Sequence, residues 1–339
     1  MEDMKEALFY EKLNNHTVQC HLCPHSCVIK NNKSGICGVR KNTDGTLYTL
    51  VYGKAIAEHA DPVEKKPLFH FFSGSRSFSI STVGCNFRCL HCQNSDISQM
   101  PRDKGSISGI NRSPEDIVSI AKTTGCKSIS YTYTEPTIYF EYAYETAKLA
   151  SRNGLKNIFV TNGYINEEPL AKINPYLDAA NIDLKAFSEG FYKKICGAKL
   201  QPVLDAIKAY KEKGTWIEIT TLIIPNHNDS PDELEQIAKF IAELGKEIPW
   251  HVSAFYPTYH LTDQPRTSVQ TLLQAREIGL KAGLRYVYTG NVPGEEGENT
   301  YCYNCGQLLV QRFGFQIAEN KIKNSSCPKC KTQFDGVGM

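Results

Sequence analysis

The middle of the chain alternates between two hydrophobic periods. Short apolar runs rich in β-branched and aromatic residues predict strands over 78–83, 128–133, 157–161, 179–184, 216–224 and 250–255. The stretches between them carry the 3.6-residue period of helices, over 139–152, 202–213 and 269–281. Helix-start chemistry sharpens this reading. Ser113-Pro114-Glu115-Asp116 and Ser230-Pro231-Asp232-Glu233 each place a capping serine before a proline at the first helical position. Gly154 and Gly214 follow predicted helices, where a left-handed cap favours glycine. A further short strand is expected near 285–288. About six βα units in series predict an α/β fold with a parallel sheet, open or curved into a partial barrel. Active residues then belong at the C-terminal strand ends.

The flanks read differently. Residues 1–72 hold few periodic elements and a first cysteine cluster. Residues 73–293 hold the βα series. Residues 296–339 hold a last cysteine cluster beyond the linker Val292-Pro293-Gly294-Glu295-Glu296-Gly297. The 339 residues suffice for one large domain with small appendages. A net charge of +2 makes no bulk electrostatic case for nucleic acid or an anionic membrane. No run of about 18 apolar residues predicts a membrane span, and the acidic start does not read as a signal peptide. A cytoplasmic location is therefore expected. Thirteen cysteines in that reducing setting point to metal rather than disulfides. Cys126 and Cys196 stand apart from the clusters and read as small buried hydrophobes.

Cys85, Cys89 and Cys92 stand in Gly84-Cys85-Asn86-Phe87-Arg88-Cys89-Leu90-His91-Cys92, a C-x3-C-x2-C spacing just after a predicted strand. Three thiolates can hold three irons of a cubane and leave the fourth open, where four would close the cluster. A zinc site or three unrelated thiols are the alternatives. Cys20, Cys23, Cys27 and Cys37, spaced C-x2-C-x3-C-x9-C, suit structural zinc, with an auxiliary iron–sulfur cluster as the rival. Cys302-x2-Cys305 and Cys327-x2-Cys330 read as the two knuckles of a zinc ribbon, with hairpin strands between. Rubredoxin-like iron is next in order. Lys321, Lys323, Lys329 and Lys331 nearby read as a solvated face rather than a nucleic-acid patch.

The triad and its position resemble the radical S-adenosylmethionine superfamily, closest to activating enzymes of the pyruvate formate-lyase type. The resemblance implies a six-stranded partial (β/α) barrel, a [4Fe–4S] cluster and S-adenosylmethionine. It also implies a one-electron donor such as flavodoxin or ferredoxin. The expected chemistry is cleavage of S-adenosylmethionine to a 5′-deoxyadenosyl radical that abstracts hydrogen from a substrate. Residue by residue, Tyr133-Thr134-Glu135-Pro136 matches the family's glycine-glycine-glutamate turn at Glu135 and Pro136 but lacks the glycines. Thr161-Asn162-Gly163 matches a further turn, which offers Asn162. Asp183 and Lys185 match an aspartate-x-lysine pair, which implies ribose and carboxylate contacts. His260 aligns loosely with a histidine past strand six. Plainer roles exist for each: helix N-terminal charges for Glu135 and Asp183, a solvated lysine for Lys185, turn chemistry for Asn162, and a loop histidine for His260.

Cys20-His21-Leu22-Cys23-Pro24-His25-Ser26-Cys27, Gly35-Ile36-Cys37-Gly38-Val39-Arg40 and Trp250-His251-Val252-Ser253-Ala254-Phe255 further resemble the radical enzyme of the AmmeMemoRadiSam group. That resemblance covers essentially the whole chain and implies Memo-like and AMMECR-like partners, but no substrate. An activase for a glycyl-radical protein, or a non-enzymatic zinc scaffold that binds nucleic acid, are the competing functional readings.

Overall fold

The computed structural model describes residues 4–339. Its centre is one eight-stranded sheet whose strands lie side by side in sequence order. The strands are β1 (Ala57–Pro62), β2 (Arg76–Ser81), β3 (Ser128–Tyr131), β4 (Lys156–Thr161), β5 (Ala179–Asp183), β6 (Trp216–Ile223), β7 (Trp250–Ala254) and β8 (Val287–Gly290). Strands β2 to β8 run parallel, and β1 pairs antiparallel to β2 at one edge. The edge strands β1 and β8 do not pair with each other.

The helices covering this sheet are α1 (Pro114–Thr123), α2 (Phe140–Arg152), α3 (Gln201–Glu212), α4 (Pro231–Leu244) and α5 (Val269–Lys281). Their starts are chemically fixed. Ser113 Oγ accepts the Asp116 N–H, and Asp116 returns a bond to the Ser113 N–H, a reciprocal cap. Ser230 and Ser268 cap α4 and α5 without the return bond, their hydroxyl oxygens accepting the Glu233 and Thr271 N–H groups. Fully buried Ile117, Ala147, Ile207 and Ile237 place one face of each helix against the sheet.

The further strand expected near 285–288 is present as β8, and one strand, β1, was not expected. Past Gly283, which turns at φ +99°, β8 sets buried Val287 and Tyr288 beside Trp250 and His251. It is the seventh parallel strand. Strand β1 lies within residues 1–72 and was not legible as a strand, because it mixes Glu58, His59 and Asp61 with alanine and shows no clean alternation. Its terminal Pro62 is tolerated at a sheet edge, where no ladder donor is lost.

The flanking segments are fastened to this sheet. Buried Glu218 on β6 accepts the Phe69 N–H at 3.0 Å, the His70 N–H at 2.8 Å and the Trp216 indole N–H at 3.1 Å. His251 Nε2 lies 2.7 Å from the same carboxylate. Burial alone would raise the Glu218 carboxyl, but His251 outweighs it and holds it below its usual range. The C-terminal strands Thr300–Tyr301, Leu308–Phe313 and Gln316–Asn320 form a separate antiparallel sheet. Its buried Arg312 stacks over Phe69 at 4.3 Å and donates to the Phe69 carbonyl at 3.1 Å. Arg285 and Asp335 add a two-pronged ion pair at 2.8 and 3.0 Å. Among the described residues no helix is long and apolar enough to cross a membrane.

Candidate functional site

The loop after β2 carries Cys85, Cys89 and Cys92. Gly84 opens it at φ +102°, and a Cβ there would stand 2.7 Å from Val39 Cγ1, so only glycine fits. Buried Phe87 packs between Tyr164 and Tyr192. The N–H groups of Arg88 and Leu90 donate to the carbonyls of Cys196 at 2.7 Å and Ile195 at 3.0 Å. These bonds fix the middle of the loop against the π-helical segment Tyr192–Cys196, a distortion often found at functional sites.

All three thiols line one cavity of ≈ 360 Å³. That lies within the roughly 300–1,000 Å³ range of small-molecule and cofactor sites. Glu135, Asn162, Asp183 and Lys185 line it too, each at or beyond the C-terminal end of β3, β4 or β5, where a parallel sheet places its ligands. His260 does not reach it. The His260 side chain is exposed and stacks on Tyr259 at 3.7 Å, and only its backbone N–H touches the cysteine loop, donating to the Leu90 carbonyl at 2.9 Å. The expectation for His260 is corrected: the 258–261 turn directs its main chain, not its imidazole, to the site.

Glu135 is 1% exposed. Its Oε1 accepts from the Thr137 N–H at 3.0 Å, the Thr137 hydroxyl at 2.7 Å and the Thr161 hydroxyl at 2.8 Å. Its Oε2 accepts the Asn162 N–H at 2.8 Å. Oε1 is therefore saturated, and Oε2 keeps acceptor capacity. Burial pushes the Glu135 carboxyl up, while these donors pull it down. Asn162 in turn donates from Nδ2 to Asn86 Oδ1 at 2.8 Å and accepts the Tyr164 N–H at 2.9 Å. The strand-four turn and the cysteine loop are thus one hydrogen-bonded unit.

Lys185 Nζ pairs with Asp183 Oδ2 at 2.7 Å. Burial opposes the ammonium charge, but Asp183, Cys89 and Cys196 outweigh it and hold Lys185 well above its ordinary value. Asn228 donates to the Lys185 carbonyl at 2.6 Å and props this strand end from β6.

Tyr133 stands where the family pattern has glycine, and it takes φ +62°. This left-handed conformation is costly for a bulky residue, about 1–3 kcal/mol. Side-chain contacts hold it there. The Tyr133 hydroxyl donates to Asp61 Oδ2 at 2.7 Å, Lys66 Nζ sits 4.9 Å over its ring, and Asn94 donates to its carbonyl at 2.8 Å. Tyr133 thus holds a left-handed backbone, which glycine adopts freely, without being glycine.

Sequence reasoning passed over several cavity features. Lys66, which lines the cavity, and Asp61, which bonds it, come from a stretch with no periodic signal. Phe315 reaches the cavity from the C-terminal hairpin, 222 positions or more from the cysteine loop in sequence, and no local pattern links the two. Cys196 is fully buried, as expected, but beside Cys89, whose thiol it pulls below the ordinary range by hydrogen bonding. Burial pushes Cys85 and Cys92 up. His91 also lines the cavity with a buried Nδ1 lacking a partner, and burial lowers its imidazole to about 3.

The C-terminal cysteines are arranged differently. The ligand atoms of Cys302, Cys305, Cys327 and Cys330 all lie within 4.8 Å of one another, and among the described residues no other trio or quartet of Cys, His, Asp or Glu does so. Cys302–Cys330 and Cys305–Cys327 are 3.6 and 3.7 Å apart. A tetrahedral ion with metal–sulfur bonds of about 2.3 Å spaces its sulfurs by about 3.8 Å. This quartet fits one metal ion. Cys85, Cys89 and Cys92 do not close to that spacing, which suits thiolates that each bind a separate iron. The donor set, the shared cavity and the unpartnered His91 nitrogen are compatible with a cluster plus an organic ligand.

The family model described as the Radical SAM superfamily matches residues 79–241, from the second residue pair of β2 through α4. Residues 79–241 are a radical SAM domain. The uncharacterized protein MJ0808 of Methanocaldococcus jannaschii is 49% identical over 337 residues, covering 98% of this chain and 100% of its own. The pyruvate formate-lyase-activating enzyme of Clostridium pasteurianum is 24% identical over 183 residues, covering 50% and 72%. Among solved structures, Streptococcus suis SuiB bound to precursor peptide SuiA aligns with a TM-score of 0.51 at 16% identity, covering 68% of this chain and 51% of that one. That last likeness concerns the fold alone. The radical SAM family uses a [4Fe–4S] cluster and S-adenosylmethionine, which makes this chain an enzyme.

Proposed function

We propose that the chain generates a 5′-deoxyadenosyl radical from S-adenosylmethionine and uses it to take a hydrogen atom from a substrate. The observation that carries this reading is the convergence of Cys85, Cys89 and Cys92 with polar strand ends on one cavity. The sheet of seven parallel strands in sequence order is read as the open barrel of this superfamily. When bound, the cluster supplies one electron to the sulfonium and splits its S–C5′ bond. The protein's part is to hold and orient. Cys85, Cys89 and Cys92 are assigned to the cluster. Glu135 Oε2 and the strand-four turn at Asn162 offer acceptors and donors for the methionine amino and carboxylate groups. Asp183 and Lys185 offer a carboxylate for ribose hydroxyls and an ammonium for a carboxylate. The C-terminal quartet is assigned to zinc.

A flavodoxin- or ferredoxin-like protein would supply the electron. The resemblance to the AmmeMemoRadiSam group supports Memo-like and AMMECR-like partners. The activating-enzyme relative supports a second reading, in which the hydrogen comes from a glycine of a partner protein.

The test is anaerobic reconstitution followed by an assay of 5′-deoxyadenosine under dithionite. The wild type should form it. Cys85→Ala, Cys89→Ala and Cys92→Ala should each abolish it and lose the same iron. Wild-type rates in any one of the three would overturn the assignment. For the second reading, a partner incubated with the enzyme must show a glycine-centred radical by electron paramagnetic resonance.

A further inference from the structure

Four thiols near the N-terminus remain unused by this chemistry. A small antiparallel sheet, Tyr10–Lys12, Val18–Cys20 and Val28–Ile29, ends in Cys20 and brings in Cys27, and the Cys20 N–H donates to the Cys27 carbonyl at 2.9 Å. The turn 35–38, closed by Gly38 N–H to the Gly35 carbonyl at 2.9 Å, presents Cys37. A Cβ on Gly35 would stand 3.6 Å from Cys27 Sγ, so this turn packs onto that thiol. The Ser26 N–H donates to the Cys23 carbonyl at 3.0 Å, so Cys23 and Cys27 share one turn, to which the strand brings Cys20 and the 35–38 turn brings Cys37.

Their spacing differs from that of the C-terminal quartet. They do not come within 4.8 Å of one another as a group, nor does any trio of them. A single tetrahedral ion needs that closeness. A cubane puts each thiolate on its own iron and needs wider separation.

A second, independent feature faces the same place. Arg40 is 1% exposed, and its carbonyl accepts the Gly35 N–H at 2.9 Å, which seats it against the turn that carries Cys37. Its Nη1 reaches Glu141 at 3.1 Å and its Nη2 the Leu8 carbonyl at 2.5 Å, while its buried Nε–H has no partner. A buried donor left open beside thiolates is what an anionic cluster with bridging sulfides would fill.

The group also abuts the catalytic loop. His25, between Cys23 and Cys27, hydrogen-bonds through Nε2 to the carbonyl of Asn86 at 2.8 Å. A Cβ on Gly84 would stand 3.1 Å from the Cys37 carbonyl. Asn86 and Gly84 are the two neighbours of Cys85. Exposed Val28 and Ile36 adjoin Cys27 and Cys37 on the outer side.

We propose that Cys20, Cys23, Cys27 and Cys37 hold a second, fully ligated [4Fe–4S] cluster that relays electrons to the open one. A low-potential one-electron carrier protein reduces the N-terminal cluster by one electron. That electron passes inward, reducing the open cluster and returning the N-terminal cluster to its oxidised state. No bond forms or breaks, and no proton moves. The relay rests on the open-cluster reading; the identity of the N-terminal metal does not.

The triple variant Cys85→Ala/Cys89→Ala/Cys92→Ala removes the open cluster and leaves the N-terminal thiols intact. After anaerobic reconstitution it should hold about four irons and about one zinc per chain, against about eight irons and one zinc in the wild type. Its dithionite-reduced paramagnetic signal should persist and be unchanged by S-adenosylmethionine. Retained zinc at the C-terminal quartet reports that the chain has folded. Two zincs and no iron in the triple variant would overturn the cluster. For the relay, the fully reduced wild type should show faster spin relaxation of this signal than the triple variant. Identical relaxation in the two would overturn electronic contact. Failure of the wild type to form 5′-deoxyadenosine would instead strike the open-cluster reading, and the iron count of the triple variant would stand regardless.

Discussion

The carboxylate of Glu135 accepts the backbone N–H of Asn162 at 2.8 Å, so the residue after β3 holds the turn after β4. Because Asn162 also bonds Asn86 beside Cys85, the carboxylate fixes the cysteine loop at one remove. Glu135→Gln replaces one acceptor oxygen with a donor in a pocket of four donors. Leaving a buried N–H or hydroxyl unpaired costs about 1–3 kcal/mol. A loss of that size is expected in urea unfolding, together with a fall in 5′-deoxyadenosine formation. Wild-type stability and activity in this variant would show the bonds to be idle.

Asp61 gives a pH-dependent prediction. Burial would raise its carboxyl, but Lys66 and the Tyr133 hydroxyl outweigh this and hold it well below the usual range. A carboxyl depressed on folding contributes stability that is complete above its unfolded value of about 3.9 and is lost as pH falls further. Asp61→Asn should therefore unfold at lower denaturant than the wild type at neutral pH. The gap should narrow in acid, below about pH 4. A gap constant across that window would mean packing, not charge, is lost.

Glu218 is a structural keystone far from the cavity's cysteines. Leaving a buried hydrogen-bonding group unpaired costs about 1–3 kcal/mol. Glu218→Ala orphans the Phe69 and His70 N–H groups and His251 together. The expected loss is of that size, read by chemical unfolding, and the 66–72 segment should lose amide-exchange protection first.

Cluster loading should depend on pH in a set direction. Burial keeps the thiols of Cys85 and Cys92 protonated above the ordinary thiol range. Iron binds thiolates, so each must release its proton on assembly. Retention of iron against a chelator should rise with pH, and assembly in weak buffer should acidify the solution. Retention falling with pH would contradict thiolate ligation at these positions.

The parallel order of strands was legible because most of its strands announce themselves by an apolar run, and two of its helices by a serine cap, at Ser113 and Ser230. Cys85, Cys89 and Cys92 were legible by spacing. Asp183 and Lys185 were legible by their place at a strand end. What local pattern cannot carry is a contact made through the fold. Asp61 meets Tyr133 across 72 positions, and Phe315 reaches the cavity from the other end of the chain. The missing glycine at Tyr133 is met in the backbone, which takes a left-handed step there whose strain side-chain bonds offset. His260 was misplaced because a loop leaves its side-chain direction unspecified by sequence period.

Arg312 inserts from the C-terminal hairpin onto Phe69, while Asp335 grips Arg285 just before the last strand of the main sheet. Small metal-stapled units of this sort are often treated as portable beads on a string. This one is cemented. Cutting the chain near 293 would strip the central sheet of its cover over Phe69 and Tyr288 and would take Phe315 from the cavity wall. The match with MJ0808 runs nearly end to end and takes in this unit with the sheet it covers.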